Sequence, residues 1–257
     1  MKNPMGTRSG VIPYRDVTPS QQLLPSRNPI TISGDTFRGK FKSLTCGSTI
    51  KCESLTEIRA TDLLEFSKQI LHITYQPPTL KFRLDGKRRR YTPDFAGSLV
   101  GGGHLLVEVK PQAKACLPEM KAFFKAAKVA AAQEGCRFAV VTEHHFRRPG
   151  MKDVKRLLKM RRDWVVENLG GPPLDESLDA TAASIWHENP ALQRAFENKP
   201  RMSVAEVVRM LGGTDEARWS LDLLLLTRIL AWPISQSLCR STQLHIYSEV
   251  DDEKLFI

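Results

Sequence analysis

The chain has 257 residues, 41% hydrophobic and 26% charged, with a formal net charge of +10; that is enough for one large domain, or a medium one plus a small one, and the basic excess points to a polyanionic partner, most commonly nucleic acid. Five cysteines, odd in number and without a Cys-x-x-Cys pair, argue against a disulfide framework or a structural zinc site and fit a reducing compartment. No apolar run reaches the roughly 18 residues of a membrane span, and no apolar stretch follows Lys2 and Arg8 as in a secretory signal, so a cytosolic protein without membrane contact is expected.

Residues 1–48 are rich in Pro, Ser, Thr, Arg and Gly with little periodicity, which predicts an irregular N-terminal arm. Ser54-Leu55-Thr56-Glu57 reads as a capping box opening a helix, with Leu55, Ile58, Leu63 and Phe66, joined by Ile70, as its buried side. Short β-rich runs follow at 72–76 and 79–84. Asp85-Gly86 is a two-residue hairpin turn, from which the next strand is expected to lead through Tyr91 to Phe95. Gly101-Gly102-Gly103 lacks the helix-opening context of a phosphate loop and reads as a hairpin tip before a strand at 104–110. A long helix is predicted over 114–133, stopped by Gly135, then a buried strand over 137–142 and a basic helix over 150–162.

Helix, hairpin, strand, helix, strand is the outline of an α/β domain with a mixed sheet flanked by helices, assigned to residues 49–168. The pattern breaks near Gly170-Gly171-Pro172-Pro173. Residues 169–257 read as a small, mostly helical, winged-helix-like domain. Ser203-Val204-Ala205-Glu206 opens a helix that Gly212-Gly213 closes, a second helix runs over 214–231 to Pro233, and 243–247 is a short strand.

Tyr91-Thr92-Pro93-Asp94-Phe95 is followed by Val107-Glu108-Val109-Lys110, with Glu108 fourteen residues after Asp94. Strand alternation puts Glu108 and Lys110 on one face, which Asp94 reaches if its strand is the neighbour. A glutamate and a lysine two residues apart are commonly a solvated ion pair, and Thr-Pro-Asp alone is a common turn. Here, however, the charges interrupt the apolar run Leu105, Leu106, Val107, Val109, and charges inside a buried strand need partners. Asp94, Glu108 and the Val109 carbonyl make a hard oxygen site suited to Mg²⁺ or Mn²⁺, with helix-borne Glu57 as a further ligand. Lys110 then orients a water or stabilises charge on phosphorus.

These residues resemble the PD-(D/E)xK nuclease superfamily. With Glu53 to Glu57, Gln76-Pro77, Pro111 and Val141-Thr142-Glu143 added, the chain is similar from about residue 50 to about 165 to TnsA-type endonuclease subunits of heteromeric transposases. The resemblance implies a restriction-endonuclease-like domain followed by a winged-helix domain, in a protein of the bacterial cytosol associated with the nucleoid. It implies Mg²⁺-dependent cleavage of the 5′ strands at transposon ends in double-stranded DNA, beside a TnsB-like transposase and a TnsC-like AAA+ ATPase. It gives Glu57, Asp94, Glu108 and Lys110 the catalytic roles. Another nuclease of the superfamily (restriction, repair or junction-resolving) and a non-catalytic DNA-binding adaptor remain alternatives.

Two basic clusters flank these residues. Lys81, Arg83, Lys87, Arg88, Arg89 and Arg90 surround the hairpin, and the run from Arg147 to Arg162 follows the last core strand. The hairpin cluster and Lys114 are expected to meet DNA phosphates; the helical cluster divides evenly between that and a solvated face. His144-His145 has no third ligand at a useful spacing and reads as structural or surface. Glu143 either supports the active site or is a solvated strand end. Cys52 and Trp219 read as structural.

Overall fold

The computed structural model describes residues 25, 39–45, 49–167 and 174–257. Most of the predicted N-terminal arm and the break at Gly170 to Pro173 lie outside these. What is described of the arm is not all irregular: β1 (Gly39–Lys42) pairs antiparallel with β2 (Thr49–Cys52), and Phe41 packs against the core.

Ser54 caps α1 (Leu55–Phe66), accepting from the Glu57 N–H at 3.1 Å. The buried side differs from the expectation at one end. Leu55 is 58% exposed, while Ala60, Leu63, Leu64 and Phe66 are buried, and Ile70 belongs to the next strand.

After β3 (Ile70–Tyr75) come β4 (Leu80–Leu84) and β5 (Lys87–Tyr91), a separate two-stranded sheet. Its turn residues Asp85 and Gly86 take φ values of 51° and 73°, the left-handed pair that matches hairpin twist. The strand expected to continue to Phe95 stops at Tyr91, and β6 (Phe95–Leu99) belongs to the main sheet. Pro93 explains the break, because it donates no N–H and holds its predecessor extended. The chain is pinned there by the Gln76 N–H, which donates to the Asp94 carbonyl at 2.8 Å.

The main sheet has the order β3-β6-β7-β8, with β7 (His104–Val109) antiparallel to β6 and parallel to β8 (Cys136–Val141). The crossover between β7 and β8 is α2 (Gln112–Ala115) followed by α3 (Pro118–Gln133), where the sequence predicts a single helix over 114–133. Pro118, which opens a helix readily but is poorly tolerated inside one, divides it. Next come α4 (Glu143–Arg147), which the expected element order lacks, and α5 (Met151–Glu167).

The rest comprises α6 (Leu174–Glu188), α7 (Pro190–Asn198), β9 (Met202–Ser203), α8 (Val204–Met210), α9 (Asp215–Leu226), β10 (Leu230–Ala231), β11 (Gln243–Ile246), α10 (Glu249–Glu253) and a 3-10 turn (Lys254–Phe256). β9, β10 and β11 form an antiparallel sheet in the order β10-β11-β9. α9 ends earlier than the expected residue 231, because Arg228 turns left-handed at φ 59° and the chain becomes a strand. No helix among the described residues is long and apolar enough to cross a membrane.

Two apolar clusters cover the main sheet. A small one lies beneath α3 and the hairpin and holds Leu80, Ala96, Leu106, Phe124 and Phe138. The larger joins α1, α5 and the opposite sheet face to the C-terminal elements without interruption, from Ile50 through Leu157 to Leu224 and Leu255. Polar contacts reinforce the junction. Asp252 is 2% exposed and accepts from Arg228 (2.9 Å), Ser67 Oγ (2.7 Å) and the Gln69 N–H (2.8 Å). The Arg228 guanidinium lies 4.8 Å from the ring centres of both Phe66 and Tyr247. At Gly150 the chain passes so close to 234–236 that a Cβ would stand 2.7 Å from the Gln236 carbonyl and 2.8 Å from that of Ile234.

Candidate active site

Asp94, Glu108 and Lys110 gather at one end of the main sheet. Registers Phe95↔Val107 and Ala96↔Leu106 make β6 and β7 neighbours, so Asp94 approaches the strand carrying Glu108. Leu106 is buried on the α3 side of the sheet while Leu105, Val107 and Val109 are buried on the other. Alternation therefore directs Glu108 and Lys110 toward the α3 side. Asp94 is fixed at the edge of β7 by the Val109 N–H, which donates to its Oδ2 at 2.8 Å. Lys110 Nζ meets Glu108 Oε1 at 2.6 Å, and the Lys110 N–H continues the ladder to the Val141 carbonyl at 3.0 Å.

Glu57 approaches from the start of α1. Its Oε2 accepts from the Glu53 N–H at 2.7 Å and its Oε1 from Ser54 Oγ at 3.0 Å. The cap that starts the helix thus also orients the acid. Burial raises the Glu57 pKa against these hydrogen bonds, and the charges of Glu53 and Glu108 add to the rise.

The electrostatics are those of carboxylates crowded without enough positive charge. Burial, then the charge of Glu108, then that of Glu57 lift Asp94 to about 8, against the lowering effect of the Val109 N–H and Lys110. Lys110 loses some basicity to burial, but its hydrogen bond to Glu108 and the charges of Glu108, Asp94 and Glu57 leave its pKa raised. It therefore stays an ammonium at neutral pH. Glu108 is 2% exposed, and its Oε2 has no hydrogen-bond partner, an arrangement that costs folding energy unless something else binds that oxygen.

That orphaned oxygen and the hard donor set fit a divalent cation. Among the described residues no three His, Cys, Asp or Glu side chains already form a ligand cluster. Asp94 and Glu108 are thus the two carboxylates that the sheet itself offers, a number with which a hard divalent cation can be held when other oxygens and water complete its shell.

One neighbour is not marked by the sequence pattern. Tyr91 enters there only as the first residue of the motif, yet its hydroxyl is buried beside Glu108. Neither Tyr91 Oη nor Glu108 Oε2 meets a partner in good hydrogen-bonding geometry. Burial and the nearby charge of Glu108 push the phenol far above its ordinary range. No spacing rule finds this, since the two residues sit in different sheets.

The hairpin cations Lys81, Arg83, Lys87, Arg88, Arg89 and Arg90 are all exposed, and none forms an ion pair among the described residues. Register places Lys81 opposite Arg90 and Arg83 opposite Arg88, on the side away from Phe82, which packs on Phe123 at 5.3 Å. Like charges directly opposite destabilise a hairpin. Lys114 is exposed on α2.

The second basic cluster is split, with Arg147, Lys152, Lys155 and Lys159 exposed and three arginines tied to protein partners. Arg148 donates to the carbonyls of Lys254 and Leu255, Arg156 pairs with Asp222, and Arg161 is buried near Glu65 at 3.6 Å. His144 and His145 lie on α4, just past the end of β8. His145 Nδ1 accepts from the Thr142 N–H at 3.1 Å. Half-buried Glu143 accepts from the Gln112 N–H at 2.6 Å, tying α4 to the segment after Lys110. Cys52, Cys116, Cys136 and Cys239 are free thiols, Cys52 buried.

Residues 64–143, just under a third of the chain, match the family described as TnsA-like endonuclease N terminal. That stretch is therefore similar to TnsA-type endonuclease domains. It contains the hairpin, Asp94, Glu108 and Lys110, and Glu57 precedes it. No curated protein matches the chain.

Proposed function

We propose that this chain is the endonuclease subunit of a heteromeric DNA transposase, cleaving the 5′ strands at transposon ends beside a TnsB-like transposase and a TnsC-like ATPase. One observation carries the reading: inside a stretch of TnsA-like endonuclease character, Asp94, Glu108 and Lys110 share one end of the sheet, with a buried carboxylate oxygen left open.

In this reading Asp94, Glu108 and the Val109 carbonyl hold Mg²⁺, with Mn²⁺ as a substitute and Glu57 as a further acid. When bound, such a cation polarises the scissile phosphate and makes water more acidic. The Asp94 carboxylate is held still by the Val109 N–H, and preorganised ligands cost no rearrangement during reaction. Lys110, protonated and half-exposed beside Glu108, donates hydrogen bonds to the attacking water or to phosphate oxygens. Its charge state suits it to these tasks and not to that of a general base. The hairpin cations and Lys114 hold the DNA backbone without reading sequence.

We divide the chain into an N-terminal arm (1–48), an endonuclease domain (49–168) and a winged-helix-like domain (169–257). The order α7, β9, α8, α9, β10, β11 supports the last assignment. Helix α9 carries Asp215 and Glu216 on an exposed face and engages α5 through Asp222 and Trp219. That chemistry suits contact with protein partners better than major-groove reading.

The test is a nicking assay on end-bearing DNA with Mg²⁺ or Mn²⁺, with and without the two partners. Cleavage that needs the partners and disappears in Asp94→Ala supports the proposal. Robust site-specific cutting by the isolated chain favours another nuclease of the superfamily, and undiminished transposition with Asp94→Ala favours an adaptor.

A further inference from the structure

Lys110 occupies only one oxygen of the Glu108 carboxylate. The other, Oε2, is buried without a hydrogen-bond partner, and so is the hydroxyl of Tyr91, whose ring packs on the same face of the sheet. We infer that Tyr91 is a positioning residue for the cation site, its hydroxyl donating to Glu108 and fixing the carboxylate in the orientation that serves a divalent cation. The inference rests on the metal-dependent reading above.

The geometry that would let Tyr91 do this is rigid. Tyr91 ends β5 opposite Leu80, whose side chain is buried in the cluster beneath α3. Its ring stands edge-on to Phe123 at 5.1 Å and 90°, and to Phe138 at 6.2 Å and 63°. Enclosed on these sides, the ring has little freedom to swing the hydroxyl elsewhere. A phenylalanine would fill the same space without burying a hydroxyl, so packing alone does not account for the oxygen.

Glu108 shares the α3-side face of β7 with Leu106, whose partner on β8 is Phe138, so the Tyr91 ring packed on Phe138 stands on the face that carries Glu108, and both buried oxygens without partners lie there. A carboxylate has about four lone-pair sites, so Glu108 can take Lys110 and Tyr91 and still ligate a cation. Groups that hold ligand carboxylates in place typically contribute about 10- to 100-fold to metal affinity. Tyr91 also follows directly on the exposed cations Lys87 to Arg90. The same ring therefore couples the position of the hairpin to that of Glu108.

The test is calorimetric titration of the full chain with Mn²⁺ alone, comparing wild type, Tyr91→Phe and Asp94→Ala, with thermal melting of each in the absence of metal. The expected result is Mn²⁺ binding that Asp94→Ala abolishes and Tyr91→Phe weakens about 10-fold or more, with the Tyr91→Phe melting temperature unchanged or raised. Wild-type affinity in Tyr91→Phe, whatever its melting temperature, would overturn the role of Tyr91 and leave the metal site standing. Absence of Mn²⁺ binding in wild type, or binding untouched by Asp94→Ala, would overturn the metal site and the role of Tyr91 with it.

Discussion

The Val109 N–H donates to Asp94 Oδ2 at 2.8 Å, so the acid before β6 is fastened to the strand that bears Glu108. An aspartate held this way cannot be replaced by a residue that merely keeps its charge. Asp94→Glu, one methylene longer, should lose this bond and lower partner-dependent nicking at least about 100-fold, the scale of removing one preorganised group. The check is nicking of end-bearing DNA in parallel with circular dichroism, which should show the fold retained.

The hairpin makes a prediction of opposite sign for binding and stability. Arg88→Gln separates the like-charged pair Arg83–Arg88. It should leave stability unchanged or raise it by about a few tenths of a kcal/mol. It should also weaken DNA binding and flatten the slope of log affinity against log salt by about 0.9 for each phosphate no longer neutralised. Fluorescence anisotropy across a sodium chloride series and urea unfolding measure the two. A steeper slope, or an unaltered one with unaltered affinity, removes the hairpin from the DNA interface.

Asp252 serves three donors at once. Its side chain and that of Arg228 are 3% and 2% exposed, so Asp252→Ala leaves a buried guanidinium uncompensated. Breaking such a pair costs about 3–5 kcal/mol. Urea unfolding should show the loss as a shift of one transition covering both halves of the chain. A separate early transition of the C-terminal elements would contradict the continuous core.

His145 supplies a pH signature. Burial first, then the nearby charge of Arg148, hold its pKa at about 4 instead of 6.5. Between those values the unfolded chain binds a proton that the folded chain refuses, so stability falls as pH drops from about 6.5 toward 4. His145→Gln should melt at a temperature less dependent on pH across that window. Melting curves at half-unit steps provide the comparison.

The chemistry is more legible in the sequence than the architecture around it. Asp94, Glu108 and Lys110 are conspicuous because charges inside an apolar strand demand an explanation, and Glu57 because a capping pattern marks a helix start. The run from Tyr91 to Phe95 reads as one continuous strand, although Pro93 itself carries the signal for the break. Gly97 and Ser98 hide β6, since small residues have weak β-preference and only the close approach of Ile70, 2.9 Å from a Cβ placed at Gly97, accounts for the glycine. The basic run after Arg147 looks uniform in sequence. Its split into structural and exposed cations depends on Glu65, Asp222 and the carbonyls at 254 and 255, all remote along the chain.

Gly150 has a consequence for engineering. Because the backbone at 234–236 rests directly against it, and the apolar interior continues past it to Leu255, the C-terminal third is no interchangeable cassette. A chimaera that grafts another protein's tail after residue 168 would have to reproduce that backbone contact along with the acceptor at 252. Short of this it would expose apolar surface on α5, and such a hybrid would aggregate before its specificity could be asked about.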